Sequence, residues 1–122
     1  MAKTIFIVDD STVMLMSVKQ TLEMAGFKVE TAKDGLEALN RVKGGLKPDL
    51  IITDINMPNM NGLDFIKNAR PILRFTPILA LTTESQATKR DEAKKHGATG
   101  WLVKPVAGPD LLKVIKQLLP GA

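Results

Sequence analysis

Three carboxylates, a hydroxyl and an ammonium stand out because each closes an apolar run. Thr4-Ile-Phe-Ile-Val8 is stopped by Asp9-Asp10, Leu50-Ile-Ile-Thr53 by Asp54, Pro77-Ile-Leu-Ala-Leu81 by Thr82-Thr83, and Thr99 to Val103 by Lys104-Pro105. Runs of this kind are what strands buried on both faces of a parallel sheet look like. Parallel strands bring their carboxyl ends to one edge, and in open α/β sheets ligands bind at that edge. An ionisable group placed there is a poor choice for stability and a good one for chemistry.

Charge assigns the roles. Three close carboxylates repel one another and need a cation. An all-oxygen set selects a hard metal, Mg²⁺ with Mn²⁺ as substitute. Asp54 is then the nucleophile that attacks a phosphorus atom and becomes an acyl phosphate. Asp10 and Asp54 hold the metal directly, Asp9 assists through water, and the carbonyl of Asn56 is the third protein ligand. Lys104 pairs with Asp54 before transfer and with a phosphoryl oxygen after it; Thr82 hydrogen-bonds another. Phosphoryl transfer depends mainly on positioning and charge neutralisation, and this set supplies both.

The elements that must position these groups alternate. After the first strand, Ser11 caps a helix with Leu15, Val18, Leu22 and Ala25 on one stripe, ended by Gly26. Phe27 to Ala32 alternates weakly, as an edge strand does. Asp34-Gly35 turns into a helix over Leu36 to Val42, with Leu36, Leu39 and Val42 inward. Pro58 and Asn61-Gly62 turn the chain away after Asp54, and Leu63 to Ala69 forms a third helix. Ser85 or Gln86 to His96 is a very polar fourth helix, with His96 at its exposed end. Pro109 to Leu119 is the fifth, with the proline in its first turn. Five β-α units predict a parallel sheet, right-handed crossovers and helices on both faces. The 122 residues read as one domain, 1–122, with no linker or effector after Leu119, so any output is a surface.

Composition narrows the function classes. The chain lacks cysteine, which excludes disulfides and thiolate metal sites, and its single histidine, His96, makes a histidine-based metal site or triad implausible. Met1-Ala2-Lys3 leads straight into a strand pattern, no run is long enough to span a bilayer, and a cytoplasmic location is expected. The net charge of +4 conceals a basic shell around an acidic pocket, which suits acidic partners or phosphorylated donors. Five aromatics and no basic run interleaved with them argue against nucleic acid.

With these residues in view, the chain resembles the receiver domain of two-component response regulators over essentially its whole length. The matching pieces are Val8-Asp-Asp-Ser11, Asp34-Gly-Leu-Glu-Ala-Leu39, Asp54-Ile-Asn-Met-Pro58 with Met60-Asn-Gly62, Leu81-Thr-Thr83 and Lys104-Pro105. Thr83-Glu-Ser85 and Gly97-Ala-Thr-Gly-Trp101 point within the family to the stand-alone chemotaxis regulators. The resemblance implies a doubly wound, flavodoxin-like (βα)5 fold with strand order 2-1-3-4-5. It implies a sensor histidine kinase as phosphodonor, Mg²⁺ as cofactor, and a phosphatase and the flagellar motor switch protein as partners of a monomer. It further implies that Thr82 and Trp101 move together as a switch, that the Lys104–Pro105 peptide is cis, and that any enzymatic activity is limited to slow autodephosphorylation. Val106 stands where the family usually has Phe, Trp101 where Tyr or Phe is commoner, and Leu15-Met16 replaces a polar pair; the first and third bear on partner choice.

The expected partner surface comprises Lys89, Arg90, Lys94 and Lys95 on the fourth helix, Trp101, and Lys113 and Lys116 on the fifth. The alternative output is a phosphorelay or cell-cycle partner. Two other classes fit less well. An aspartyl-phosphate phosphatase of the haloacid dehalogenase type needs a second Asp two residues after the nucleophile, where this chain has Asn56. A flavodoxin-like cofactor carrier needs a Ser/Thr/Gly-rich phosphate loop after the first strand, where Asp9-Asp10 would repel a phosphate.

Overall fold

The structure is a computed structural model and describes residues 3–82, 87–104 and 106–119. Thr83, the expected helix start at Ser85 or Gln86, the Lys104–Pro105 peptide and the side chain of Thr82 lie outside what it describes. Five strands, β1 (Thr4–Val8), β2 (Lys28–Ala32), β3 (Leu50–Asp54), β4 (Ile78–Thr82) and β5 (Gly100–Val103), alternate with α1 (Thr12–Met24), α2 (Gly35–Lys43), α3 (Gly62–Ala69), α4 (Ala87–Lys95) and α5 (Gly108–Leu118). All neighbouring strands pair in parallel. Their order is β2-β1-β3-β4-β5, as the sequence resemblance implies, with β2 at an edge.

Strand alternation divides the core in two. Phe6, Val8, Ile51, Ile78 and Ala80 face one side and pack with Ala38, Leu39 and Val42 of α2 and Phe65, Ile66 and Ala69 of α3. Ile5, Ile7, Leu50, Ile52, Leu79 and Leu81 face the other and pack with Leu15, Val18 and Leu22 of α1 and Leu111 and Ile115 of α5. This is the doubly wound arrangement, with a helix layer on each face of a sheet whose central strands are apolar on both sides.

Two inward assignments fail. Leu36 is 45% exposed, because α2 begins at Gly35 and its buried face is formed by Gly35, Ala38, Leu39 and Val42. Ala25 is exposed; it is the C-cap of α1, one residue past the end of the helix at Met24. Phe27 is buried but precedes β2. Ser11 caps α1 as expected, its hydroxyl accepting from the Met14 amide at 3.3 Å. His96 follows α4 and is half-buried. Among the described residues no helix is long and apolar enough to cross a membrane.

Candidate functional site

Register brings the strand ends together. Val8 pairs with Thr53, Asp54 with Leu81, and Thr82 with Val103, so Asp9, Asp54, Thr82 and Lys104 leave the sheet side by side. Asp9 and Asp54 are buried, at 3% and 9% exposure, whereas Asp10 is exposed at the rim. One carboxylate oxygen from each of the three lies within 4.8 Å of the others.

Lys104 crosses this cluster. Its Nζ donates to Asp9 Oδ2 at 2.7 Å and to Asp54 Oδ2 at 3.1 Å. The second contact is the one the sequence predicts; the shorter one, to Asp9, has no signal in the sequence. Asp9 Oδ1 accepts from the Ser11 amide at 2.9 Å, and Asp54 Oδ1 accepts from the Ile55 amide at 2.7 Å. Burial pushes the Asp54 carboxyl above its ordinary pKa; Lys104 pulls it back and the Asp9 charge adds to the rise. Burial works against the Lys104 charge, but its hydrogen bond to Asp9 and the charges of Asp54 and Asp9 outweigh this and hold the ammonium above the ordinary lysine value.

The loop from Ile55 to Asn61 is clamped from two sides. The Gly62 amide donates to Ile55 O at 2.8 Å, and a Cβ at Gly62 would stand 2.0 Å from Asp54 O. Across the gap, the Gly35 amide donates to Met60 O at 3.1 Å, and a Cβ there would stand 2.3 Å from that oxygen. Asp34 Oδ2 accepts from Asn59 Nδ2 at 2.8 Å while its Oδ1 caps α2 by accepting from the Glu37 amide at 2.8 Å. Asn59 takes a positive φ of 66°. Asp34-Gly35 is therefore more than the turn its dipeptide suggests: it holds the loop that carries Asn56. No local signal announces a partner 25 residues away.

The donor set fits a hard divalent cation. Every candidate ligand is an oxygen, the carboxylates are close enough to share one ion, and one of them opens to solvent. Asn56 is exposed, and its side-chain Oδ1 lies 3.5 Å from Lys89 Nζ.

Family comparison agrees with this geometry. Residues 5–116 match the response regulator receiver domain. This chain belongs to the response-regulator receiver family. The chemotaxis protein CheY1 of Helicobacter pylori is 38% identical over 120 residues, which span 96% of each protein. The solved chemotaxis protein CheY4 of Vibrio cholerae superposes with a TM-score of 0.91 at 45% identity, over 98% of this chain and 100% of that one. The transcriptional regulatory protein PrrA of Mycobacterium tuberculosis is 35% identical over 115 residues, 94% of this chain and 49% of PrrA. The chain is thus a CheY-like receiver domain, a class of signalling switches.

In this receiver the expected partner surface separates into parts. Arg90, Ala93, Lys94, Ala98, Gly100 and Trp101 line a groove of about 280 Å³ between α4 and β5. Lys95, Lys113 and Lys116 are exposed but do not line it. Lys89 turns away from it toward Asn56. Trp101 is half-buried against the α2–α3 side of the core, and its Nε1 is buried with no hydrogen-bond acceptor among the described residues. A buried donor without a partner calls for an explanation.

Proposed function

We propose that this chain is a receiver domain, 1–122, whose Asp54 accepts a phosphoryl group from the phosphohistidine of a sensor histidine kinase. The supporting observation is a buried carboxylate held by Lys104 in a cluster with Asp9 and Asp10. In the transfer an Asp54 carboxylate oxygen forms a bond to phosphorus as the donor's P–N bond breaks, and the imidazole nitrogen keeps the electron pair. Lys104 neutralises the oxygens on which charge accumulates.

Asp10, Asp54 and the carbonyl of Asn56 would hold Mg²⁺, with Asp9 behind them. Both Asp9 oxygens already accept hydrogen bonds, from Ser11 and Lys104, which suits the indirect role. When bound, Mg²⁺ supplies charge neutralisation for the incoming phosphoryl oxygens. Thr82, at the end of β4, hydrogen-bonds a phosphoryl oxygen, and Trp101 moves with it. The output partner docks at the α4–β5 groove. The likeness to two chemotaxis proteins supports the flagellar motor switch as that partner, in the cytoplasm, with the receiver acting as a monomer and dephosphorylating itself at most slowly.

Incubation with acetyl phosphate and Mg²⁺, followed by intact mass and tryptic mapping, tests the reading. One phosphoryl group is expected on Asp54 and none in Asp54→Asn. Label on another residue, or undiminished label in the variant, would show that the acceptor is misassigned.

A further inference from the structure

Lys89 belongs by sequence to a run of surface charges, but its position separates it from them. On α4, Ala93 is the one buried side chain among those described, and Lys89 precedes it by one turn, on the same inward stripe. Lys89 is half-buried, whereas Arg90, Asp91 and Glu92 are exposed. Helical side chains lean toward the amino end of their helix. Here that direction carries the Lys89 ammonium to the carboxyl edge of the sheet, 3.5 Å from Asn56 Oδ1 and two residues along the chain from Asp54. It thus reaches the rim of the acid cluster from a different element than Lys104, which binds Asp9 and Asp54.

The opposite end of α4 is held. Arg70 donates from Nη2 and Nε to Gly97 O, at 2.7 and 3.2 Å, and from Nη1 to Leu73 O and Thr76 O, at 2.8 and 2.7 Å. One guanidinium therefore ties the turn after α4 to the α3–β4 connection. The helix is fastened at its carboxyl end, buries only Ala93 among its described side chains, and carries near its amino end a cation directed at Asn56.

We propose that Lys89 is a phosphoryl-sensing positioning residue that draws the amino end of α4 toward phosphorylated Asp54. This rests on Asp54 being the acceptor. Phosphorylation replaces a singly charged carboxylate with a group of about two negative charges, so the attraction for an ammonium at the rim increases on transfer. The same helix contributes Arg90, Ala93 and Lys94 to the groove. A pull at Lys89, resisted at Gly97 by Arg70, tilts α4 and reshapes that groove. This route from phosphoryl group to output surface is separate from the Thr82–Trp101 pair.

The test compares the parent chain with Lys89→Gln and Lys89→Arg after treatment with acetyl phosphate and Mg²⁺, at equal label occupancy by intact mass. Hydrogen exchange of the α4 amides and Trp101 emission are read with and without label. The parent should gain protection in α4 and change its Trp101 emission. Lys89→Gln should lose at least half of both responses, and Lys89→Arg, which keeps the charge, should retain most of them. Full responses in Lys89→Gln would overturn the sensing role. If the parent takes no label at Asp54, the acceptor assignment itself fails, and the role falls with it.

Discussion

At the scale of single residues, the site is governed by one cation serving two buried carboxylates. Removing Lys104 would leave Asp9 and Asp54 facing each other without it. Breaking a buried ion pair by deleting one partner costs about 3 kcal/mol or more, since the remaining charge stays desolvated. Lys104→Met should therefore unfold at lower denaturant concentration than the parent when both are measured in chelator at neutral pH. The pH dependence has a definite sign. Asp54 has a raised folded pKa, so its charge adds no cost below the unfolded carboxylate range, costs more as pH rises toward the folded value, and costs fully above it. Lys104 also has a raised folded pKa, so its stabilisation is complete below the ordinary lysine range and is lost as pH rises through the folded value. The gap between parent and Lys104→Met should thus shrink toward acid, as Asp54 protonates, and shrink again at strongly alkaline pH. Urea titrations across pH measure it; a gap that is constant from acid to neutral pH would mean that Lys104 stabilises by packing alone.

At the scale of elements, the loop after β3 is shaped by close approach as much as by hydrogen bonds. A methyl group at residue 62 would overlap Asp54 O, and one at residue 44 would meet nothing nearer than Asn40 O at 3.3 Å. Gly62→Ala should cost about 1–3 kcal/mol, the usual range for over-packing, and weaken Mg²⁺ binding by displacing the Asp54 backbone. Gly44→Ala, at a φ of −79°, should be close to neutral. Calorimetric Mg²⁺ titration with thermal melts separates the two, and equal behaviour would rule out the clamp. The contrast also shows what sequence could and could not convey. The strands, their order of appearance and their terminal carboxylates were legible because apolar runs and the acids closing them are local features. The pairing of Asp34-Gly35 with Asn59 and Met60 was not, since each dipeptide explains itself as a turn. Leu36 departs from its expected inward position for a related reason: helical period gives spacing, whereas the start at Gly35 sets phase. The sequence groups Lys89 with the surface lysines because α4 has too few apolar residues to fix which stripe faces inward.

At the scale of the whole molecule, the question is how an event at Asp54 reaches a surface one strand beyond β4. The groove proposed as the docking surface has an apolar floor of Ala93, Ala98 and Trp101, a rim charged by Arg90 and Lys94, and an indole whose Nε1 lacks an acceptor among the described residues. A ligand can discriminate between two states only through contacts that differ between them. Movement of Trp101 and of α4 would change both floor and rim, so an amphipathic peptide with acidic residues and one or two apolar anchors should bind the phosphorylated form more tightly. Coupling of about 1–3 kcal/mol is typical of such switches, and by reciprocity the peptide should favour phosphorylation by the same amount. Arg90→Glu and Lys94→Glu should weaken binding in both states and flatten its salt dependence, since they alter the rim charge and leave the coupling route intact. Lys95→Glu, outside the groove, should do less. Val106, half-buried beside Leu102 and α5, lies on the other face of the sheet from the groove's core contacts, so restoring Phe there should change the affinity of the peptide less than the groove variants do. Fluorescence anisotropy of acidic motor-switch peptides against both forms measures all of these, and equal affinities of the two forms would remove the groove as the output surface.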